Sequence, residues 1–255
     1  MSFQFFGFLS GLAYLALCLL IAVPGARKSV LSSAAEKDGG YFLPFVSCLI
    51  CLTLFLFMPC GTFPALLPFS GGALIVVAGL ALAPGFRSGQ GRWGERLRRQ
   101  ACVPLCFAVS LMAMAHYARQ RGIPGALYAL DTYVNMPVMS VTEGWETPGV
   151  CLLAVLSLLA LCRVLPVRLP VSGDAGEAFL SALSAELWSL AAIALWVCLF
   201  FPFSFAFDQA SSISAVGGLA LNALVFWVKV LGLKLVIGSR IGDQGHGSAD
   251  ETPAS

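Results

Sequence analysis

The chain has 255 residues, of which 58% are hydrophobic and only 11% are charged. A soluble domain carries about 25% charged residues. A mean hydropathy of +0.87 leaves too little polar surface to coat a water-soluble globule, and it excludes a disordered chain for the same reason. The net charge of +2 is too small and too dispersed for a nucleic-acid footprint, so the composition predicts an integral membrane protein.

A helix needs about 20 apolar residues to cross the hydrocarbon core. Charge-free runs place the first span at Phe3–Val23. No basic segment precedes it, and Arg27 and Lys28 follow it, which is the pattern of a retained span and not of a cleaved signal peptide. The next charge-free run, Gly39 to Phe86, is 48 residues long, too long for one crossing. Its MPCGTFP interior breaks it into a second span at Phe42–Met58 and a third at Pro64–Ala83. Further spans are expected at Ala101–Ala118, Gly149–Leu165, Ala178–Phe201 and Ile213–Ile237. The fold class is therefore all-α: a polytopic membrane helix bundle of about seven spans, with room for an eighth helix in the Gly122–Pro148 connection. Residues 1–241 make up the bundle, and the polar, Gly/Ser-rich segment 242–255 is expected as a disordered cytoplasmic tail.

Lys and Arg placement sets orientation. With the N-terminus outside, the inward segments carry twelve basic residues, among them Arg27, Lys28, Arg87, Arg163, Arg168, Lys234 and Arg240. The outward segments carry only Arg119 and Arg121, which predicts an N-out, C-in chain. The outward Gly122–Pro148 connection, with Tyr128, Tyr133 and Trp145, suits a loop lying in the headgroups.

No catalytic apparatus of a soluble enzyme is present. His116 and His246 are the only histidines and neither has a plausible set of metal partners, so no metal site is expected. The nine cysteines lie in or beside apolar runs, where a thiol packs as a small hydrophobe. Cys48 and Cys51 form a C-x-x-C, but a lone pair is a weak metal signal. What remains is charge inside spans, which is costly enough to need a reason. Glu186 lies in the sixth span and Lys229 in the seventh. Counted from the expected inward ends, each is about 12–13 Å deep, which predicts that the two pair. Asp174 and Glu177 read either as a helix N-cap with its capping box or as part of a proton path. The run GRWGERLRR, holding Arg96, Arg98 and Arg99, reads as a cytoplasmic loop on anionic lipid or as a docking site for a peripheral partner.

The stretch CRVLPVRLPVSGDAGEAFLSALSAELWSLAAIALWVCLFFPF carries a resemblance. It looks like the loop and following helix of the membrane subunit 1 family of respiratory complex I, in the shorter form found in energy-converting NiFe hydrogenases and formate hydrogenlyases. There an Arg leads into a P-F-D-L-P-like turn, and an acidic Y-S-G segment precedes a helix bearing A-E-Y. Here Arg163 leads into PVRLP, GDAG stands at the Y-S-G segment, and Glu186 sits in AEL. The resemblance implies a non-catalytic membrane-anchor subunit of an oxidoreductase complex in a bacterial inner membrane. Such a subunit docks peripheral hydrogenase-like, iron–sulfur subunits on cytoplasmic loops, with Arg96, Arg98, Arg99, Arg163 and Arg168 as docking residues. It sits beside antiporter-like membrane subunits and links electron transport to proton translocation, through Glu186, Lys229, Asp174 and Glu177. The chain itself would bind no cofactor, the iron–sulfur and NiFe centres being held by partners. A quinone site is disfavoured, because Arg168 replaces the family's turn carboxylate and GARKSVLSSAAEKDGG is too short for the family's amphipathic helix. The alternative function is a stand-alone small transporter or permease.

Overall fold

A computed structural model describes residues 15–27, 41–60, 64–67, 69–87, 100–135, 144, 146–165, 175–202 and 212–245. Every regular element among them is helical. In chain order these are α1 (Leu15–Arg27), α2 (Phe42–Leu56), α3 (Gly72–Leu82), α4 (Cys102–Gln120), α5 (Leu130–Asn135), α6 (Glu146–Val164), α7 (Ala175–Phe200) and α8 (Ser212–Gly245). A tight 3-10 turn, Ala83–Arg87, extends α3. Four helices, α4, α6, α7 and α8, are long and apolar enough to cross a membrane; α1, α2 and α3 with its turn are apolar but shorter.

Two boundaries differ from the expectation, each for a local reason. The third helix starts at Gly72 and not at Pro64, because the chain first folds back over the end of α2, where the Leu67 N–H donates to the Leu56 carbonyl at 2.8 Å. The last helix runs to Gly245, four residues into the expected tail; residues 246–255 lie outside the described residues. Within the Gly122–Pro148 connection the chain forms the six-residue α5. α4 stops because Gly122 adopts φ +64°, a left-handed conformation that costs a glycine little. The Gly122 N–H then reaches the Arg119 carbonyl at 3.3 Å, and the Ile123 N–H reaches the Ala118 carbonyl at 2.9 Å. This is the double bond of a Schellman cap, with Ile123 buried against the helix end.

The bundle is organised on α7. Its 18-residue apolar window is 83% buried, against 44% for α4 and 28% each for α6 and α8. Leu187, Leu190 to Leu195 and Val197 are fully enclosed. Alanines at 178, 182, 185, 191, 192 and 194 keep this helix thin, so that neighbouring backbones approach closely. α2 packs most extensively on α7, α4 pairs with α6, and α8 leans on α7. The exposed sides of α4, α6 and α8 are rows of large apolar residues, such as Leu105, Val109 and Met112 or Leu224, Val228 and Leu235. An apolar exterior around an apolar core is what a hydrocarbon solvent permits and water does not.

Candidate functional site

Two polar features lie on different sides of α7. The first is a seam toward α2 and the turn after α3. Pro84 has no N–H, so it cannot donate to the Leu80 carbonyl one helical turn earlier. The indole of Trp188 takes that role, its Nε1 donating at 2.8 Å. One turn away, the Ser47 hydroxyl donates to the Ala83 carbonyl at 2.7 Å and hydrogen-bonds the Ser184 hydroxyl. Ser47 and Ser184 are fully buried, so these bonds satisfy groups that would otherwise be costly. The thiols of Cys48 and Cys51 point the same way: Cys48 Sγ donates to the Leu180 carbonyl at 3.2 Å, and Cys51 Sγ lies 3.8 Å from the Ser184 carbonyl. The C-x-x-C is thus taken up in packing α2 on α7. No three His, Cys, Asp or Glu side chains gather as a metal-binding group among the described residues.

The second feature is charged. Glu186 Oε2 accepts a hydrogen bond from Lys234 Nζ, forming an ion pair between α7 and α8. The two side chains are 23% and 29% exposed, so the pair opens onto the bundle surface. Gly25 of α1 lies against the same carboxylate: a Cβ placed there would stand 2.9 Å from Glu186 Cδ. A larger residue at position 25 would require the Glu186 carboxylate to shift. Three helices therefore meet on one carboxylate, with Arg27 exposed two residues farther along α1.

Glu186 pairs with Lys234 rather than with Lys229, which corrects the expected partner. The equal-depth count took Ile237 as the end of the last span, whereas α8 continues to Gly245 and sits five residues farther along α7. That offset is about 7.5 Å at 1.5 Å per residue. Lys229 instead reaches the far end of α7, where its Nζ donates to the Phe201 carbonyl at 3.3 Å and stands 5.0 Å from the Phe201 ring centre. A long aliphatic stem allows this reach, and the ring face attracts the ammonium.

Glu177 is buried in the first turn of α7. Asp174, Arg96, Arg98, Arg99 and Arg168 lie outside the described residues. Arg163 is exposed in the last turn of α6. Sequence reasoning missed Lys234 and Gly25 as members of the site: Lys234 counted only toward orientation, and a glycine two residues before an Arg gave no signal. It also passed over Asp131 of α5, whose Oδ1 accepts from the Ala65 N–H at 3.0 Å. Burial pushes the Asp131 carboxyl above its ordinary value, against the opposing effect of that N–H. At the same end of the bundle Arg121 grips Glu146 through Nε at 3.1 Å and Nη2 at 3.0 Å, tying the end of α4 to the start of α6. No family model matches the chain, and no curated protein matches it.

Proposed function

We propose that the chain is a seven-span, N-out and C-in subunit of a bacterial inner-membrane oxidoreductase complex of the complex I-like or energy-converting hydrogenase-like kind. It is not catalytic alone. It docks peripheral iron–sulfur, hydrogenase-like subunits on its cytoplasmic loops through Arg96, Arg98, Arg99, Arg163 and Arg168, and links them to antiporter-like neighbours that move ions. The observation that carries this reading is the Glu186–Lys234 pair. It lies on the helix that organises the bundle, within the segment that resembles the family, and joins three helices whose relative positions a docked arm could bias. A charge pair on bistable packing is a physical means of coupling two sites.

Gentle purification of the tagged chain from its native membrane, followed by identification of co-purifying proteins, tests the proposal. Iron–sulfur or hydrogenase-like partners are expected, and their loss is expected when Arg96, Arg98 and Arg99 are reversed to Glu while the chain stays in the membrane. Recovery of the chain without redox partners, with ion or solute flux from the purified chain in liposomes, overturns it in favour of a stand-alone transporter.

A further inference from the structure

Cross-contacts set the long helices on one ruler, the residues of α7. Trp196 Nε1 donates to the Ala154 carbonyl at 3.1 Å. The connecting residues 166–174 span at most about 35 Å, too short to join parallel helices in this register, so α6 runs antiparallel to α7. Arg163, nine residues past Ala154, then lies level with Leu187. α4 is tied to α6 by Arg121 and Glu146 at one end, and both helices have 19 residues, so Cys102 begins α4 at the level where Val164 ends α6. Gly25, two residues before Arg27, abuts the Glu186 carboxylate that Lys234 also meets. Lys229 and Lys234 are five residues apart yet end at Phe201 and Glu186, fifteen apart. Their stems therefore extend in opposite directions, that of Lys234 toward this level. Arg27, Arg163, the start of α4 and the Glu186–Lys234 pair mark one boundary, and the Arg121–Glu146 pair marks the other. The 19 residues of α6 between them measure about 28 Å, close to the usual hydrocarbon thickness of about 30 Å. The exposed Leu224, Val228 and Leu235 of α8 fall between the two boundaries.

α7 and α2 run on past the first boundary. Ala175 is eleven residues beyond Glu186, about 16 Å at the α-helical rise. The start of α2 goes with it: a Cβ at Gly176 would stand 2.8 Å from the Tyr41 ring, and Cys48 Sγ donates to the Leu180 carbonyl. This part of α7 holds Glu177, Ser181 and Ser184, whereas residues 190–200 hold no charged or hydroxyl side chain. Beside it α2 turns Tyr41, Phe42 and Phe45 outward, 51%, 74% and 50% exposed. Phe42 is about 13 Å past the boundary by the same rise, and the headgroup layer is only about 5–8 Å deep. Exposed aromatics grouped beyond the lipid mark an interaction surface. Charge indicates the partner. Arg27 and Arg163 are exposed at the base of the projection. The segments 28–40, 88–99 and 166–174, which lead to this level, carry seven Lys or Arg against four Asp or Glu.

We propose that the projecting start of α2 and α7 is the docking surface for a water-soluble protein, one that seats Tyr41, Phe42 and Phe45 in an apolar pocket with an acidic rim. The inference rests on the orientation and docking role proposed above, and places the contact on these aromatics. Phe42→Cys in the full chain is labelled with a membrane-impermeant maleimide in native vesicles that expose the cytoplasmic face, with the wild-type rate subtracted. Labelling is measured before and after peripheral proteins are stripped by a chaotropic wash. A partner at about ten times its dissociation constant leaves about a tenth of sites free, so stripping is expected to raise the rate about tenfold. Return of the dialysed wash is expected to restore protection, except in a chain that also carries Arg27→Glu and Arg163→Glu. Phe45→Cys serves if Phe42→Cys does not fold. Val109→Cys, about 10 Å inside the layer, is expected to stay unlabelled throughout. A rate that stripping leaves unchanged overturns the proposal: fast in both states is an open surface, slow in both is one held in lipid or under the chain's own segments. Protection that returns equally to the arginine variant overturns the acidic rim, and fast labelling of Val109→Cys overturns the boundary. Protection by a wash that holds no iron–sulfur protein sinks the redox reading and leaves the docking surface standing. Iron–sulfur subunits that co-purify while position 42 labels equally fast before and after stripping do the reverse.

Discussion

Trp188 and Pro84 should be energetically coupled although they belong to different helices. Trp188 is 2% exposed, and its indole N–H satisfies the Leu80 carbonyl that Pro84 leaves without its helical donor. Trp188→Phe removes that donor and part of a buried ring. Interhelical hydrogen bonds in membrane proteins average about 0.6 kcal/mol and reach about 1.7 kcal/mol. Full truncation of a buried aromatic to Ala costs about 3–5 kcal/mol, so the smaller loss of volume here adds about 1–2 kcal/mol. The single variant should therefore lose about 2–3 kcal/mol in total. Pro84→Ala supplies an N–H within reach of the same carbonyl. In that background Trp188→Phe should cost about 1 kcal/mol less, since the carbonyl is no longer left unpaired. The assay is reversible unfolding of the four proteins by sodium dodecyl sulfate in mixed micelles, followed by circular dichroism. Additivity of the two changes within about 0.3 kcal/mol would refute the coupling.

Other expectations follow from the charged site and from Asp131. Gly25→Ala should destabilise the fold by about 1–3 kcal/mol through contact with the Glu186 carboxylate, and most of that cost should vanish in a Glu186→Ala background; an equal cost in both backgrounds would contradict the contact. Glu186→Gln and Lys234→Met should each cost about 1–2 kcal/mol in the same titration, between the values for exposed and for fully buried pairs. Exchange of the two residues should recover most of the loss, and two harmless single changes would show that the pair contributes nothing. Because burial raises the Asp131 carboxyl above its unfolded value, the folded state holds that proton more tightly, and the resulting stability is present in acid and lost as pH rises through the folded value. Asp131→Asn keeps an acceptor for the Ala65 N–H without the charge, so it should melt above the wild type at neutral pH and approach it on acidification. Melting temperatures from about pH 4 to 8 check this, and a gap that widens in acid would refute it.

Helical character and the placement of most helices were legible because charge-free runs and helix breakers act locally. Pro202 and Gly122 mark real helix ends, and the segments expected at Phe42, Ala101, Gly149 and Ala178 begin within a few residues of α2, α4, α6 and α7. The prominence of Glu186 was also legible, since a carboxylate within an apolar run has few bland explanations. Its partner was not. Which lysine meets it depends on how far α8 slides along α7, and that register is set by packing over the whole interface and not by the residues near either charge. The Trp188–Pro84 relation escaped for a similar reason. A proline advertises a missing donor, but nothing in the chain says which distant side chain replaces it.

The hub of this bundle is made late. Ser47 of α2 bonds Ser184 of α7 across 137 residues of sequence. At a synthesis rate of about 5–20 residues per second, that separation is roughly 7–27 s of translation. Through this interval the serine and two thiols of α2 face no finished partner, and α3 and its proline turn wait equally for Trp188. The early helices can form as the ribosome delivers them, but their mutual order is imposed only when α7 emerges. A nascent chain interrupted before residue 188 should thus be a set of formed but unlocked helices, open to proteases until α7 is delivered.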